Sequence, residues 1–166
     1  MAEREQVVDN MRLSYEGLFN VNELYMLIDQ FFREKGFDKR ELRNQEHVKA
    51  GSRYIDLVLQ PWKKITDYAN HIIRVEIVMR NVKDVEVEKD GHKLKLSKGR
   101  VAVRIDAYLE TDYEHRWEQK PIYFFIRTLF DKFVYSSYSQ RFKAQLKETA
   151  NQLNGEIKAF LNLHRY

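Results

Sequence analysis

The sequence predicts an α+β fold: a curved antiparallel sheet of about five to seven strands, with an N-terminal helix and a long C-terminal helix packed on one face. Three observations predict it. Residues 53–60 (RYIDLVLQ) and 71–80 (HIIRVEIVMR) alternate in the manner of strands that bury one face. The stretch 84–97, DVEVEKDGHKLKLS, centres on Asp90–Gly91, the dipeptide that suits a type I′ hairpin turn because both central residues need positive φ. From Ser139 to Leu161 apolar residues recur at helical spacing, which supplies a cover for the apolar side of such a sheet.

Taken in chain order, residues 1–10 are charged and read as a frayed start to a single domain spanning 1–166. In 11–19, Met11, Leu13 and Tyr15 alternate with polar residues and read as a short first strand, with Gly17 as a bulge or turn. A helix follows. Asn20 can cap it, Glu23 stands three residues on, Phe19 and Leu24 hold the hydrophobic-staple positions, and Leu24, Leu27, Ile28, Phe31 and Phe32 form its apolar face up to Gly36. Residues 37–50 are polar and are compatible with a short second helix.

In the strands, Ile55, Leu57 and Leu59 share one face before Pro61, and Ile73, Val75, Ile77 and Met79 share another. A two-residue turn at Asp90–Gly91 sets Val87 against Leu94 and Val85 against Leu96, with Glu88 against Lys93 and Glu86 against Lys95 on the opposite side. A second turn at Lys98–Gly99 is expected to return the chain through 100–110, with Val101 beside Leu96 and Val103 beside Leu94. The last helix carries Phe142, Leu146, Ala150, Leu153, Ile157, Phe160 and Leu161 as its stripe, and its Gly155 implies a close packing contact or a bend.

Between sheet and helix lies PIYFFIRTLFDKFVYSSY, residues 121–138. As a strand it sets Ile122, Phe124 and Ile126 on one side; as a helix it groups Ile122, Ile126, Leu129, Phe130 and Phe133. Both readings stand at this point, with a strand followed by a helical turn as a third, and its aromatics read for the most part as core or cavity wall.

Composition narrows the function. The chain has 43% hydrophobic and 33% charged residues, enough to bury a core, and its 13% aromatic content points to an aromatic-rich interior. With no cysteine there is no disulfide framework, thiolate zinc site or cysteine nucleophile. A net charge of +4 is spread among 25 acidic residues, which argues against a nucleic-acid footprint; on the outer sheet face Glu86, Glu88 and Asp106 offset Lys93, Lys95 and Arg104. No apolar run approaches the ~20 residues of a membrane span, and the N-terminus shows no secretory h-region, so a cytoplasmic setting is expected.

The order of elements (strand MRLSYEGLF, helix NVNELYMLIDQFFREKG, strands RYIDLVLQ and HIIRVEIVMR, the Asp-Gly hairpin, RVAVRIDAYLE, and the helix from Ser139) resembles the helix-grip fold of START-like and polyketide-cyclase-like proteins. That resemblance covers most of the chain, rests on element order without a family motif, and implies a sheet wrapped around the last helix. A binding module follows as the expectation: an apolar or aromatic small molecule held between sheet and C-terminal helix, with Phe124, Ile126, Phe130, Phe142, Leu146, Leu153 and His92 as cavity residues. The alternatives are a module that meets a second copy, a protein partner or a membrane surface through 121–138, and a cyclase- or hydrolase-like enzyme. No phosphate loop, GxGxxG or GxSxG occurs and no cofactor is expected. Glu110, Asp112, Glu114 and His115 have oxygen and imidazole donors close in sequence, but nothing in the chain fixes their geometry as metal ligands.

Overall fold

The computed structural model describes residues 3–111, 122, 125, 129 and 136–163. Strand β1 (Glu3–Phe19) leads into helix α1 (Val21–Glu34). Strands β2 (Glu41–Lys49), β3 (Ser52–Leu59), β4 (Trp62–Lys64), β5 (Ala69–Lys89) and β6 (His92–Thr111) follow, and helix α2 (Ser136–Leu163) closes the described chain. These strands make one antiparallel, curved sheet in the order β1-β6-β5-β3-β2, with β4 also paired to β5. Both helices pack on it, giving the α+β class expected from the pattern.

The register begins at the β5–β6 turn. Asp90 and Gly91 have φ of 52° and 78°, the left-handed pair that a two-residue hairpin requires. Val87 then faces Leu94, Val85 faces Leu96, Glu88 faces Lys93 and Glu86 faces Lys95, as expected. Further along the same two strands Met79 faces Val101, Ile77 faces Val103 and Val75 faces Ile105, all buried. Here the expected turn at Lys98–Gly99 is corrected: β6 runs straight through it, so Val101 and Val103 lie beside Met79 and Ile77, not beside Leu96 and Leu94. Gly99 has a different reason to be glycine. It sits against the irregularity of β5 between Arg80 and Lys83, where a Cβ would come within 3.0 Å of the Arg80 carbonyl and the Val82 Cα.

Two further corrections concern strands. Residues 3–10 are not frayed, because β1 pairs with β6 from Glu3↔Thr111 to Phe19↔Ser97. Bulges between Gln6 and Met11 accommodate Asn10 at φ 56°, and the buried Asp106 carboxylate accepts the Asn10 backbone N–H at 2.7 Å. Residues 41–49 are a strand, not a helix. Every residue of β2 is exposed, so no apolar period marks it, and it is held by main-chain pairing to β3.

Helix α1 starts as its cap residues dictate: the Asn20 side chain accepts the Glu23 N–H at 3.1 Å. Phe19, Leu24 and Ile28 are fully buried against the sheet side of the core. Leu146, Ala150, Leu153, Ile157 and Leu161 of α2 are all buried to within 1% of complete. Burying a Leu or Ile side chain is worth about 1.5–3 kcal/mol, so this stripe is a principal fastening of helix to sheet. Gly155 lies off that stripe, exposed, with nothing within 4 Å of a Cβ built on it; the expected packing contact is absent. In the aromatic stretch the described residues Ile122, Phe125 and Leu129 are helical, so a strand does not run through them, and all three are exposed, as is Tyr138.

The two glycines therefore predict opposite signs. Gly155→Ala raises stability by about 0.5–1 kcal/mol through helix propensity, and Gly99→Ala lowers it by about 1–3 kcal/mol through overpacking. Urea unfolding midpoints of the two variants check both.

Candidate functional site at the open end of the sheet and helix interface

The interior between sheet and α2 changes character along the helix. At its C-terminal half the stripe from Leu146 to Leu161 fills the space. At its first turns the helix offers Ser139, Phe142 and Lys143, and the facing sheet rows are polar too. One row joins Glu3, Thr111 and Ala69; the next joins Glu5, Leu109 and His71. Lys143 Nζ donates to Glu5 at 2.7 Å, which ties this end of α2 to β1. Across the other sheet face, Arg4 Nε meets Glu110 at 3.2 Å, and Asn70 Nδ2 reaches the second Glu110 oxygen at 3.5 Å.

A cleft of about 490 Å³ opens at this end, lined among the described residues by Glu3, Arg4, Glu5, Tyr68, Leu109, Thr111 and Ser139. Beside it, cross-strand from Leu109, lies His71. Its residue is only 4% exposed, and its ring meets Phe142 edge to face at 6.5 Å. His71 shares the parity of Ile73, Val75, Ile77 and Met79 and so turns inward with them. Burial lowers its pKa to about 4, opposed by a hydrogen bond at the Phe142 main chain and assisted by the charge of Lys63. It is a neutral imidazole at pH 7, and its Nε2 has no hydrogen-bond partner among the described residues. A buried polar atom without a partner costs about 1–3 kcal/mol.

The residues anticipated for a cavity divide. Phe142 is half-buried beside His71 and packs against the core, and it does not line the cleft. Leu146 and Leu153 are fully buried core. His92 is exposed next to the hairpin tip, opposite Lys89, and is not part of the core cluster. Phe124, Ile126 and Phe130 lie outside the described residues, as do Asp112, Glu114 and His115. Glu110 is engaged with Arg4 and Asn70, and among the described residues no group of three His, Asp or Glu is placed to hold a metal ion. His71 was not singled out by sequence, although its place in the alternation HIIRVEIVM carried the signal.

A second cleft of about 530 Å³ lies at the start of α1, lined by Asn20, Val21, Arg53, Asp84, Lys95 and Ser97 among others. Its chemistry is already internally matched: Arg53 pairs with Asp84 at 2.6 Å and Glu46 at 3.3 Å. The α2 end is therefore the better candidate. No family model matches the chain, and neither a curated protein nor a solved structure matches it.

The His71 environment predicts a pH dependence. Unfolded, the imidazole binds a proton near its ordinary 6.5; folded, it does so only near 4. The unfolded state thus holds more protons in that window, and stability falls as pH drops through it, by up to about 3 kcal/mol. His71→Phe removes this part of the slope, as urea midpoints at neutral pH and near pH 4 will show.

Proposed function

We propose that this chain is a non-catalytic binding module of helix-grip type, which takes a small molecule with an apolar body and one hydrogen-bond donor at the open end between sheet and α2. The observation that carries this reading is the buried, neutral His71, whose Nε2 has no hydrogen-bond partner among the described residues and which pairs across the sheet with the cleft-lining Leu109 without itself lining the cleft. With the other ring nitrogen at the Phe142 main chain, Nε2 presents a lone pair. Leu109 and Tyr68 supply apolar and aromatic lining, and Glu3, Arg4, Glu5, Thr111 and Ser139 supply the polar groups. The element order that resembles START-like proteins supports the same reading, since the last helix lies against the sheet as a grip requires.

The experiment is native mass spectrometry of the purified chain, followed by titration with the apolar fluorophore 1-anilinonaphthalene-8-sulfonate. A retained small molecule, or fluorophore binding at one site that Ser139→Trp abolishes by filling the cleft, supports the reading. A ligand-free protein whose fluorophore response is untouched by Ser139→Trp overturns it.

A second reading, an interaction module, rests on Ile122, Phe125 and Leu129. They are 64%, 63% and 44% exposed, and steps of three and four place helical residues on one face. Exposed apolar clusters of this kind mark contact with a partner chain or a lipid surface. Flotation with anionic liposomes is expected to carry the wild type upward and to lose Phe125→Ser; a wild type that stays at the bottom removes the lipid version.

A further inference from the structure

Among the described residues the strand order ends in β1 and β2, and these two strands are built differently. β1 is interrupted by bulges between Gln6 and Met11. β2 has one irregularity, between Glu41 and Arg43, and is then regular to Lys49. It contains no proline, and all nine of its residues are exposed, including Val48 at 70% and Leu42 at 45%. A regular, exposed edge strand presents unpaired main-chain groups to any strand that approaches, and proteins ordinarily blunt such an edge.

We propose that β2 pairs with β2 of a second copy, antiparallel about a two-fold axis at Gln45, so that two sheets join into one. The sequence ELRNQEHVK is self-complementary about that residue. Gln45 meets its own equivalent, Asn44 meets Glu46 and Arg43 meets His47, with Leu42 and Val48 at the ends of this regular stretch. The exposed Leu42 and Val48 thus come together at each end, an apolar pairing of the kind that cross-strand contacts favour.

The neighbouring registers do not share this property. A two-fold perpendicular to the sheet keeps each side chain on its own face, so the axis must pass through a residue. Centred on Glu46, the strand sets Glu46 against itself and Arg43 against Lys49. Centred on Asn44, it sets Leu42 against Glu46. Within β2 and β3 the remaining charges are already matched, with Arg43 on Asp56 at 2.7 Å and Arg53 on Glu46 at 3.3 Å, so the edge approaches its partner without stranded charge at those positions. Leu42 lies in the bulge and Glu41, on the helix side of the sheet, accepts the Tyr25 hydroxyl at 3.0 Å, which places the regular pairing at 43–47 and the apolar contacts at its two ends. The occupant is a second copy because the complementarity is with the strand itself.

The chain has no cysteine, so one introduced thiol reports the contact directly. Gln45→Cys places two thiols across the axis, at the spacing of directly opposed strand residues and within disulfide reach. Lys93→Cys, on the exposed hairpin, is the control. The expected results are a concentration-dependent dimer of the full wild-type chain by sedimentation equilibrium, at least tenfold weaker dimerisation for Val48→Lys, and oxidative dimerisation of Gln45→Cys that outpaces Lys93→Cys. A wild type that sediments as a monomer at its highest soluble concentration overturns the proposal. So does a dimer indifferent to Val48→Lys, or a Gln45→Cys chain that cross-links no faster than the control.

Discussion

The register of one hairpin governs this fold. β5 and β6 are the longest strands, and their pairing runs from the Asp90–Gly91 turn to Ala69↔Thr111 with a single irregularity. Because side chains alternate with a period of two, one residue of slip would turn Ile73, Val75, Ile77, Val103 and Ile105 away from the helices. A two-residue turn with both residues at positive φ removes that freedom. β1 then adds to β6 and β3 to β5, each inheriting the face already set, and the apolar stripe of α2 finds a matching surface.

The departures from regularity act on a sheet whose register is already decided. Gly99 lies opposite Gly17 of β1, against the β5 irregularity between Arg80 and Lys83. The two glycines thus sit at the level where β5 alone departs from regular pairing. Beyond it Val85 and Val87 are only half-buried and Leu94 is 41% exposed, so the hairpin end projects past the core. Near the other end, Asp106 is fully buried where the β1 bulge turns an N–H toward it, and the Arg104 guanidinium lies 3.0 Å from its second oxygen. A buried carboxylate is tolerable on those terms, since it accepts a main-chain hydrogen bond and faces a cation.

Much of this architecture was legible because it is written in short-range chemistry. The Asp-Gly turn, the Asn20 cap and the stripe from Leu146 to Leu161 each depend on neighbours a few residues away, and each is present as read. The misread positions are those where long-range pairing overrides local character. Nothing local in ELRNQEHVK marks a strand; only β3 makes it one. Gly99 looks like a turn until Arg80 and Val82 are brought against it. His71 escaped notice for a related reason. A polar residue at the head of an apolar alternation reads as a strand end, and its burial depends on Phe142, far along the chain.

That last contact explains why the interface between sheet and helix is closed at one end and open at the other. A stripe of Leu, Ile and Ala continued through the first turns of α2 would seal the sheet at Leu109 as it does at Ile105. Instead Ser139 and Lys143 stand there, with Glu5, Thr111 and His71 facing them. Hydrophobic burial alone does not select such a meeting of polar rows, because each polar group brought inward must find a partner. Glu5 and Lys143 find each other. His71 Nε2 does not, and a cleft large enough for a small molecule lies one strand away. An interior that is apolar over most of its length thus leaves buried polar atoms near this end without partners among the described residues, His71 Nε2 and Asn70 Oδ1 among them, at a cost that the rest of the fold must offset.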